Sequence, residues 1–218
     1  MNCSSTDISK VRNDLGQDKD QLLKQYRFGI EQALARANFL NTNEIVTVQA
    51  LVIFLICVRR LDDTRFVWSM TALALRIAQS LGLHRDGTKF GLSPFDTEMR
   101  RRLWWSLCVL DVRAAEDHAS EPSIIDHTFD TELPLNIDDC ELDPEATEAP
   151  VPKSELSEMT FCLIRFEICT LVKKLNLFSD SKISCPKIRP QLAVEDKERM
   201  IQEFAVRLEE NYLKYSQE

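Results

Sequence analysis

Apolar residues recur at helical spacing along most of the chain. From residue 22 to residue 39 they are four or five positions apart, which predicts one amphipathic helix over about residues 19 to 38. These residues are Leu22, Tyr26, Ile30, Leu34 and Phe39. Residues 41–43 then interrupt the pattern. The next segment, Ile45 to Arg59, is apolar on nearly all sides and too long for one buried strand, so it predicts a central helix.

Two further helices are marked by signals at their ends. Asp62, Asp63 and Thr64 are cap-type residues before an apolar face, and Gly82 is placed to end that helix. Ser93 and Pro94 are typical of an N-cap and first helical residue, so a fourth helix is predicted from 94 to about 118, with Asp96 as its capping-box acid. The predicted inner faces are Phe66, Met70, Leu73, Ile77 and Leu81 in the third helix, and Met99, Leu103, Trp104, Leu107, Cys108 and Leu110 in the fourth.

The segment 119–153 has the composition of a loop. It contains five prolines and little apolar periodicity, which favours turns, and disorder is expected near 141–153. Two amphipathic helices are predicted beyond it, at 155–177 and 194–216, separated by a loop around Pro186 and Pro190. Their apolar positions are Met159, Leu163, Phe166, Leu171 and Leu175, then Met200, Phe204, Leu208 and Tyr212.

Composition supports an all-α fold and argues against an independent nucleic-acid binder. Only five of the 218 residues are glycine, whereas hairpins and phosphate-binding loops need many. The net charge is −8, and residues 114–160 alone hold fourteen acids against one base, Lys153. A chain that follows a phosphate backbone by itself would need a basic surface.

The cysteines indicate neither a disulfide framework nor a zinc site. There are seven, an odd number, and no two are spaced C-x-x-C. Cys57 and Cys108 lie in apolar runs and are predicted to be small buried hydrophobes in a reducing compartment. The first twenty residues lack the apolar stretch of a secretory signal, and the longest apolar run has nine residues, too few to span a membrane.

Two short patterns suggest catalysis and are weighed against simpler interpretations. His84-Arg85-Asp86 matches the start of the kinase catalytic loop, but Gly91 stands where that loop has asparagine, which favours a helix-ending turn. Asp138, Asp139 and Asp143 offer clustered carboxylates that could hold magnesium on a diphosphate. A helical small-molecule-binding protein or a magnesium-dependent prenyl-diphosphate enzyme is therefore the alternative function from another class.

The fourth predicted helix carries three features that invite a specific interpretation. Arg100, Arg101 and Arg102 point about 100° apart, so one is expected to pair with an acid while the others are solvated. Asp111 lies on the apolar face and needs a partner, which is expected to be an arginine. Trp104 and Trp105 cannot face the same way; either one of them lines a groove or both pack against neighbouring helices.

Five sequence blocks between residues 50 and 140 resemble the regulatory middle-homology domain of fungal zinc-cluster transcription factors, in that family's order. The blocks are Thr71–Gly87, Leu92–Phe95, Arg100–Trp105, Leu110–Asp111 and Leu133–Asp139. Within them and the intervening loop, the residues marked as family motif are Leu81, Gly82, Leu83, His84, Arg85, Asp86, Gly87, Ser93, Pro94, Phe95, Arg101, Arg102, Trp104, Trp105, Asp111, Pro122, Leu133, Pro134, Asn136 and Asp138. We expect their roles to be structural, with no catalytic, cofactor or metal residue among them.

The resemblance implies an all-α, nuclear, non-catalytic regulatory domain that controls transcription by RNA polymerase II, with a secondary-metabolite gene cluster as one target. It also implies DNA binding through an N-terminal binuclear zinc cluster, and zinc is expected only there. That module is absent from this sequence, so the chain is expected to be either a truncated product or a family member that lost its DNA-binding module. The expected partners are the transcription machinery, a paralogous regulator or a second copy of the chain. Binding to a membrane is not expected.

The chain departs from the family at one motif, and its predicted domain boundaries follow from the helix and loop patterns described above. Many members have Gly-Arg-Pro where this chain has Ser120-Glu121-Pro122. The predicted organisation is an N-terminal helical region at 1–40, the regulatory domain at 41–140, an acidic linker at 141–153 and a C-terminal helical segment at 154–218. The predicted architecture is therefore a multi-helix regulatory domain with an acidic proline-containing loop.

Overall fold

The computed structural model describes residues 16, 18–61, 64–175 and 193–214. Six α-helices and no strand lie within these residues, which confirms the predicted all-α class. The chain separates into two compact units, residues 1–62 and 63–218. The predicted domain boundaries at 40, 140 and 153 remain predictions.

The first unit contains helices α1 (Lys19–Arg36) and α2 (Ile45–Val58). The Asp18 carboxylate caps α1 by accepting a hydrogen bond from the backbone N–H of Asp20 at 3.2 Å. The helix ends before the predicted residue 38 because Asn38 adopts a left-handed backbone, with φ 48°. Asparagine tolerates this conformation better than most residues. A 3₁₀ turn, Phe39–Asn41, follows.

Helix α2 is buried on one face only, although its sequence is apolar on nearly all sides. Leu51 and Leu55 are buried, whereas Val46 and Ile53 are 71% and 62% exposed. The prediction of a central helix is therefore wrong for α2. The prediction that Cys57 is buried is also wrong, because Cys57 lies one turn after Ile53 on the exposed face.

The second unit is built around its longest helix. Its helices are α3 (Thr64–Ser80), α4 (Pro94–Asp117), α5 (Thr160–Leu175) and α6 (Val194–Leu208). Helix α4 packs against both α3 and α5, and α6 packs against α5. The predicted inner residues Leu103, Leu107 and Leu110 are buried, as is Cys108. Because α4 is covered from several sides, it is the central helix of this unit.

Both predicted end signals around the loop between α3 and α4 are confirmed. Gly82 has a φ of 75°, and the N–H groups of Gly82 and Leu83 donate to the carbonyls of Gln79 and Ala78. This is the Schellman arrangement that ends a helix at glycine. At the start of α4, the Ser93 hydroxyl accepts from the Asp96 N–H at 3.0 Å.

The buried face of α3 differs from the predicted one. Val67, Thr71, Ala74 and Ala78 form it at helical spacing, together with Leu75 and Ile77. Of the predicted residues only Ile77 is buried, while Phe66, Met70, Leu73 and Leu81 are less completely covered. The reason is that small residues let two helix axes come close together, so the tightest face is not the one with the largest side chains.

The last two helices lie close to their predicted positions. Helix α5 starts at Thr160 instead of 155, because the Thr160 hydroxyl accepts a hydrogen bond from the Ser157 N–H at 2.8 Å and so closes the preceding turn. Helix α6 starts at the predicted residue and continues into a π-helical turn, Glu209–Leu213. The predicted ends at 177 and 216, the loop around Pro186 and Pro190, and Asp62, Asp63, Cys3 and Cys185 lie outside the described residues.

The segment between α4 and α5 is a loop, as predicted. It contains two 3₁₀ turns, Asp126–Thr128 and Asp139–Glu141. The expectation of disorder near 141–153 is wrong for the end of that stretch, since the Lys153 N–H donates to the Asn136 carbonyl at 2.8 Å. Within the described part of the chain, no helix is both long and apolar enough to cross a membrane.

Candidate functional site

The site is centred on one buried carboxylate, that of the family-motif residue Asp86. Its two oxygens accept from Nε and Nη2 of Arg101 at 2.8 and 2.9 Å, a bidentate pair. They also accept from the N–H and hydroxyl of Thr88 and from the N–H of Glu132. Asp86 is 1% exposed and Arg101 8%. We call this set the Asp86 cluster: Asp86, Thr88, Arg101, Asp130 and Glu132.

Asp130 joins the cluster to the loop after α3. Its carboxylate accepts from the Asp86 N–H at 2.9 Å, from Lys89 at 2.8 Å and from Arg85 at 3.1 Å. Its backbone N–H donates to the carbonyl of His84. The next residue, Thr131, donates its hydroxyl to the carbonyl of Leu83 at 2.7 Å. The returning segment 130–132 is therefore bound to the end of α3 and to α4 together.

The charges in the cluster stabilise one another. Burial by itself would raise the pKa of Asp86, but the hydrogen bonds from Arg101, Thr88 and the backbone hold that pKa far below its ordinary value. The hydrogen bond from Lys89, followed by that from the Asp86 N–H, lowers the pKa of Asp130 to about 2. Burial would lower the pKa of Arg101, but its bonds to Asp86 raise it. All three groups are thus ionised at neutral pH.

Gly87 is required by close packing at the entrance to the cluster. A Cβ at this position would lie 2.7 Å from the Thr97 hydroxyl oxygen and 3.0 Å from the Thr97 Cα. Both distances are shorter than a normal contact, and Thr97 is buried in the first turns of α4. The 3₁₀ turn Gly87–Phe90 can therefore lie against α4 only with glycine here.

The three consecutive arginines behave differently from the prediction. Arg101 pairs with Asp86, and Arg102 pairs with Glu98 at 2.9 Å and with Asp139 at 2.6 Å. Arg100 donates to the carbonyl of Leu81 at 3.0 Å, so it holds the end of α3. The expectation that one pairs and two are solvated is wrong. Acids or carbonyls from the segment before α4, from α4 itself and from the returning segment reach all three guanidinium groups.

A second buried carboxylate belongs to Glu98, in the first turns of α4. It is 1% exposed, and its two oxygens accept from Arg102 and from the N–H of Leu135 at 3.1 Å. Leu135 follows Pro134, which is buried, and Leu133, which is half-buried. Glu98 thereby fixes the Leu133–Asp139 block against α4.

Asn136 and Asp138 fasten that block to the start of α5. The Asn136 side-chain amide donates to the carbonyls of Lys153 and Glu155, and its oxygen accepts from the hydroxyls of Ser157 and Thr160. The Asp138 carboxylate accepts from the Glu158 N–H and from Lys153, and the bond from Lys153 lowers the pKa of Asp138.

The two tryptophans are both packed, and neither lines an open groove. Trp104 is 0% exposed and Trp105 7%. Phe129 lies between them, with ring centroids 5.5 Å from Trp104 and 5.7 Å from Trp105. The indole N–H of Trp105 donates to the carbonyl of Glu132 at 2.8 Å. The interpretation that both tryptophans pack in the interior is confirmed.

Asp111 is buried, but the expected arginine partner is wrong. Its carboxylate accepts from the backbone N–H of Ile124 at 2.8 Å and from Ser123, immediately after Pro122. Burial raises the pKa of Asp111, and these bonds, together with the charge of Lys173, oppose that rise. The loop after α4 is short enough to bring backbone donors to Asp111, which the side-chain pattern could not indicate.

Sequence reasoning missed Glu98, Asp130, Glu132 and Phe129. Glu98 had one usable signal, since it precedes Arg102 by four residues on the same helix. The other three lie in a loop without periodicity, so only the folded chain shows what they contact.

The geometry shows how the candidate catalytic residues are engaged. The Asp138 carboxylate accepts from Lys153 and from the Glu158 N–H, the Asp139 carboxylate accepts from Arg102, and Asp143 accepts from the N–H of Glu145. The part of the chain that the structure describes contains no group of three or more His, Cys, Asp or Glu residues placed to hold a metal ion. In the His84-Arg85-Asp86 triplet, the Asp86 carboxylate forms an ion pair with Arg101.

Comparison with known proteins gives a family for this helical domain. The family model described as "Fungal specific transcription factor domain" matches residues 3–211. The chain therefore belongs to the fungal specific transcription factor domain family. No solved structure matches it.

Curated relatives of this chain are also named as transcription factors. The chain is 35% identical over 199 residues to the aurofusarin cluster transcription factor aurR2 of Gibberella zeae, covering 89% of this chain and 30% of that protein. It is 34% identical over 175 residues to the pyriculol/pyriculariol biosynthesis cluster transcription factor 1 of Pyricularia oryzae, covering 78% and 24%. It is 37% identical over 161 residues to the C6 finger domain transcription factor adaR of Aspergillus niger, covering 73% and 20%. The matched stretch spans less than a third of each of these relatives.

Proposed function

We propose that this chain is the regulatory domain of a nuclear transcription factor that controls RNA polymerase II transcription of a biosynthetic gene cluster. The match of the family model to residues 3–211 carries the proposal. Relatives named as cluster transcription factors support it. The domain acts by binding and not by catalysis, and the engagement of Asp86, Asp138 and Asp139 in internal hydrogen bonds supports this part.

In this proposal, the family-motif residues hold the helices and the returning segment in one arrangement. Asp86 and Arg101 tie the end of α3 to α4, while Asn136 and Glu98 tie the returning segment to α4 and α5. A regulatory domain must hold one shape if a partner is to recognise it. Buried, fully bonded polar groups favour one arrangement of helices over others, because any other arrangement leaves them without partners.

DNA recognition is assigned to a zinc cluster outside this sequence, and zinc is expected only there. The sequence has a net charge of −8 and an acidic segment at 114–160, which disfavours contact with phosphates. The domain would act through the transcription machinery or through a related regulator.

The test is made in the source fungus. The gene is deleted, and transcripts of the biosynthetic genes around its locus are measured with and without complementation by the wild-type gene. A coordinated change in those transcripts on deletion, reversed by complementation, is the expected result. Unchanged transcripts in deletion and wild-type strains under conditions where the cluster is expressed would contradict the proposal.

A matched pair of complementing variants tests the role of the motif. Asp86→Asn removes the charge that Arg101 requires, whereas Asp143→Asn makes the same chemical change at an exposed residue. We expect Asp143→Asn to complement fully and Asp86→Asn to fail with reduced protein abundance. A fluorescent fusion of the wild-type chain should lie in the nucleus.

A further inference from the structure

Two buried cysteines meet where α4 packs against α5. The Cys169 thiol donates a hydrogen bond to the Cys108 carbonyl at 3.3 Å. Cys108 is 0% exposed and Cys169 4%, and both are thiols in this structure. Since a C=O bond is about 1.2 Å long and a Cα–C bond about 1.5 Å, the Cys169 sulfur lies within about 6 Å of the Cys108 Cα. The two residues are therefore direct neighbours across the contact between the helices.

A second contact shows how α4 and α5 are aligned at this level. The Trp105 ring lies against that of Phe166, with ring centroids 5.9 Å apart. This pair and the cysteine pair have the same separation in sequence, so the helices run in the same direction and Cys108 is level with Cys169.

Two level residues on neighbouring helices are within reach of a disulfide. Packed helix axes are about 8–10 Å apart, and each Cα lies about 2.3 Å from its own axis. Two Cα atoms that face each other at one level are therefore about 3–6 Å apart. Disulfides join residues whose Cα atoms are about 4.4–6.8 Å apart, so the two ranges overlap.

The groove between α4 and α5 gives one of the two sulfurs access to small solutes. Cys169 lines this groove together with Val112 of α4 and with Ile168 and Val172 of α5. Cys108 has no exposed surface. A solute little larger than water, such as hydrogen peroxide, therefore reaches Cys169 before Cys108.

Cys162 is a natural reference for this pair because it lies on the same helix. It is half-buried and precedes Cys169 by seven residues. At 1.5 Å per residue, it lies about 10 Å along the axis from Cys169, and from Cys108 at the same level. That distance exceeds the reach of a disulfide. Cys162 is thus a thiol of α5 that lies outside the pair.

We propose that Cys108 and Cys169 are a redox-active pair that forms a disulfide within one chain on exposure to hydrogen peroxide. The Cys169 sulfur attacks one peroxide oxygen. An S–O bond forms, the O–O bond breaks, and the other oxygen leaves as water with the thiol proton. The Cys108 sulfur then attacks the Cys169 sulfur. An S–S bond forms, the S–O bond breaks, and the hydroxyl group leaves as water with the Cys108 proton.

The electrons balance in this sequence of steps. The two thiols lose two electrons, and the peroxide is reduced to two water molecules. A thiol reductant reverses the bond by exchange, so the pair is a site of reversible modification. The inference depends on the packing of α4 against α5 and not on the proposed function.

The test maps the disulfides of the folded chain. The 218-residue chain is reduced, freed of reductant and treated with hydrogen peroxide. Remaining thiols are alkylated in denaturant before digestion with trypsin. Cleavage after lysine and arginine places Cys108 in peptide 103–113, Cys162 in 154–165 and Cys169 in 166–173. We expect peptides 103–113 and 166–173 to be joined and to separate on treatment with dithiothreitol. The oxidised chain should still migrate as a monomer on a non-reducing gel.

Two serine variants separate the pair from the other thiols. Cys162→Ser should leave the joined peptides unchanged, whereas in Cys169→Ser we expect Cys108 to be recovered alkylated. Circular dichroism must show the wild-type helix content for both variants. The mapping of the wild-type chain decides the proposal by itself if a variant fails to fold.

Two results for the wild-type chain would overturn the proposal. One is a joined pair of peptides that appears only when peroxide is added in urea, because it would report the unfolded chain. The other is recovery of Cys108 and Cys169 as alkylated thiols, or as separate sulfinic acids, while the exposed Cys57 and Cys140 are oxidised.

Discussion

Asp86 shows how a buried charge is kept in this domain. Its carboxylate accepts five hydrogen bonds, two of them from the Arg101 guanidinium, and almost none of its surface reaches water. Removing one member of such a pair leaves an uncompensated charge in the interior, which costs more than the pair contributes when intact. The His84-Arg85-Asp86 segment therefore joins the loop after α3 to α4, because the inward-facing Asp86 pairs with Arg101.

At the residue scale, the first prediction concerns acid. The pKa values of Asp86 and Asp130 lie below the unfolded value of about 3.9, so their contribution to stability is complete above about pH 4 and is lost as the pH falls through the folded values. We expect the free energy of unfolding, measured with urea, to fall between about pH 4 and pH 2. Asp130→Asn should weaken that dependence, whereas Asp143→Asn should not. An equal pH dependence in Asp130→Asn and wild type would contradict the assignment.

The second prediction concerns the closest backbone approach. Gly87→Ala places a methyl group 2.7 Å from the Thr97 hydroxyl oxygen, and we expect a loss of about 1–3 kcal/mol in the free energy of unfolding through overpacking. Gly29→Ala is the matched control, since nothing lies within 4 Å of its Cβ and it is in the interior of α1. That variant should gain about 0.5–1 kcal/mol. A Gly87→Ala variant as stable as the wild type would show that the turn can move away from α4.

At the element scale, α3 and α4 are neighbouring helices, and the most deeply buried face of α3 consists of small side chains. Val67, Thr71, Ala74 and Ala78 occupy positions at helical spacing on α3, and each is almost completely buried. Arg100 and Asp86 then hold the end of α3 from outside this face. Packing and polar bonds therefore fix the same pair of helices in one alignment.

The prediction for this element is a cavity in the core. Ile77 is 6% exposed, so Ile77→Ala should lower the free energy of unfolding by about 2–5 kcal/mol through lost burial and an unfilled space. Leu73→Ala, four residues earlier and less completely buried, should cost less. Thermal or urea unfolding of both variants gives the comparison. If Ile77→Ala melts within about a degree of the wild type, the inner face of α3 is wrongly assigned.

At the scale of the whole molecule, the charge of the sequence disfavours contact with DNA. The net charge is −8, and Arg100, Arg101 and Arg102 are engaged in internal hydrogen bonds instead of forming a basic face. The cysteines have no C-x-x-C pair, and Cys108 and Cys169 are buried. These features argue against phosphate contact and against a tetrahedral thiolate site, and both absences remain predictions.

We accordingly expect the 218-residue chain to bind no stoichiometric zinc and no specific DNA sequence. Zinc content after dialysis and a mobility shift with promoter DNA from the surrounding gene cluster are the measurements. Fusing the chain to a binuclear zinc cluster should confer zinc-dependent DNA binding, which serves as the positive control. Tight, salt-sensitive and sequence-specific binding by the isolated chain would contradict this expectation.

The sequence by itself determined the elements of this protein. Helical periodicity, Gly82, Ser93 and Pro94 placed the helices and several of their ends correctly, because these signals act within a few residues of the backbone they control. The motif blocks also indicated the family. The same local reasoning could not assign α2, whose two faces are both apolar, or the small-residue face of α3.

Only the tertiary structure decided which residues meet. Asp86 and Glu132 are 46 residues apart, and Glu98 and Leu135 are 37 apart, yet both pairs are bonded. The arginine expected for Asp111 is replaced by backbone N–H groups, and Arg102 finds Asp139 in a loop without periodicity. A buried polar group accepts any donor that the returning chain brings within about 3 Å. That choice depends on the path of the loop, which no local pattern of residues specifies.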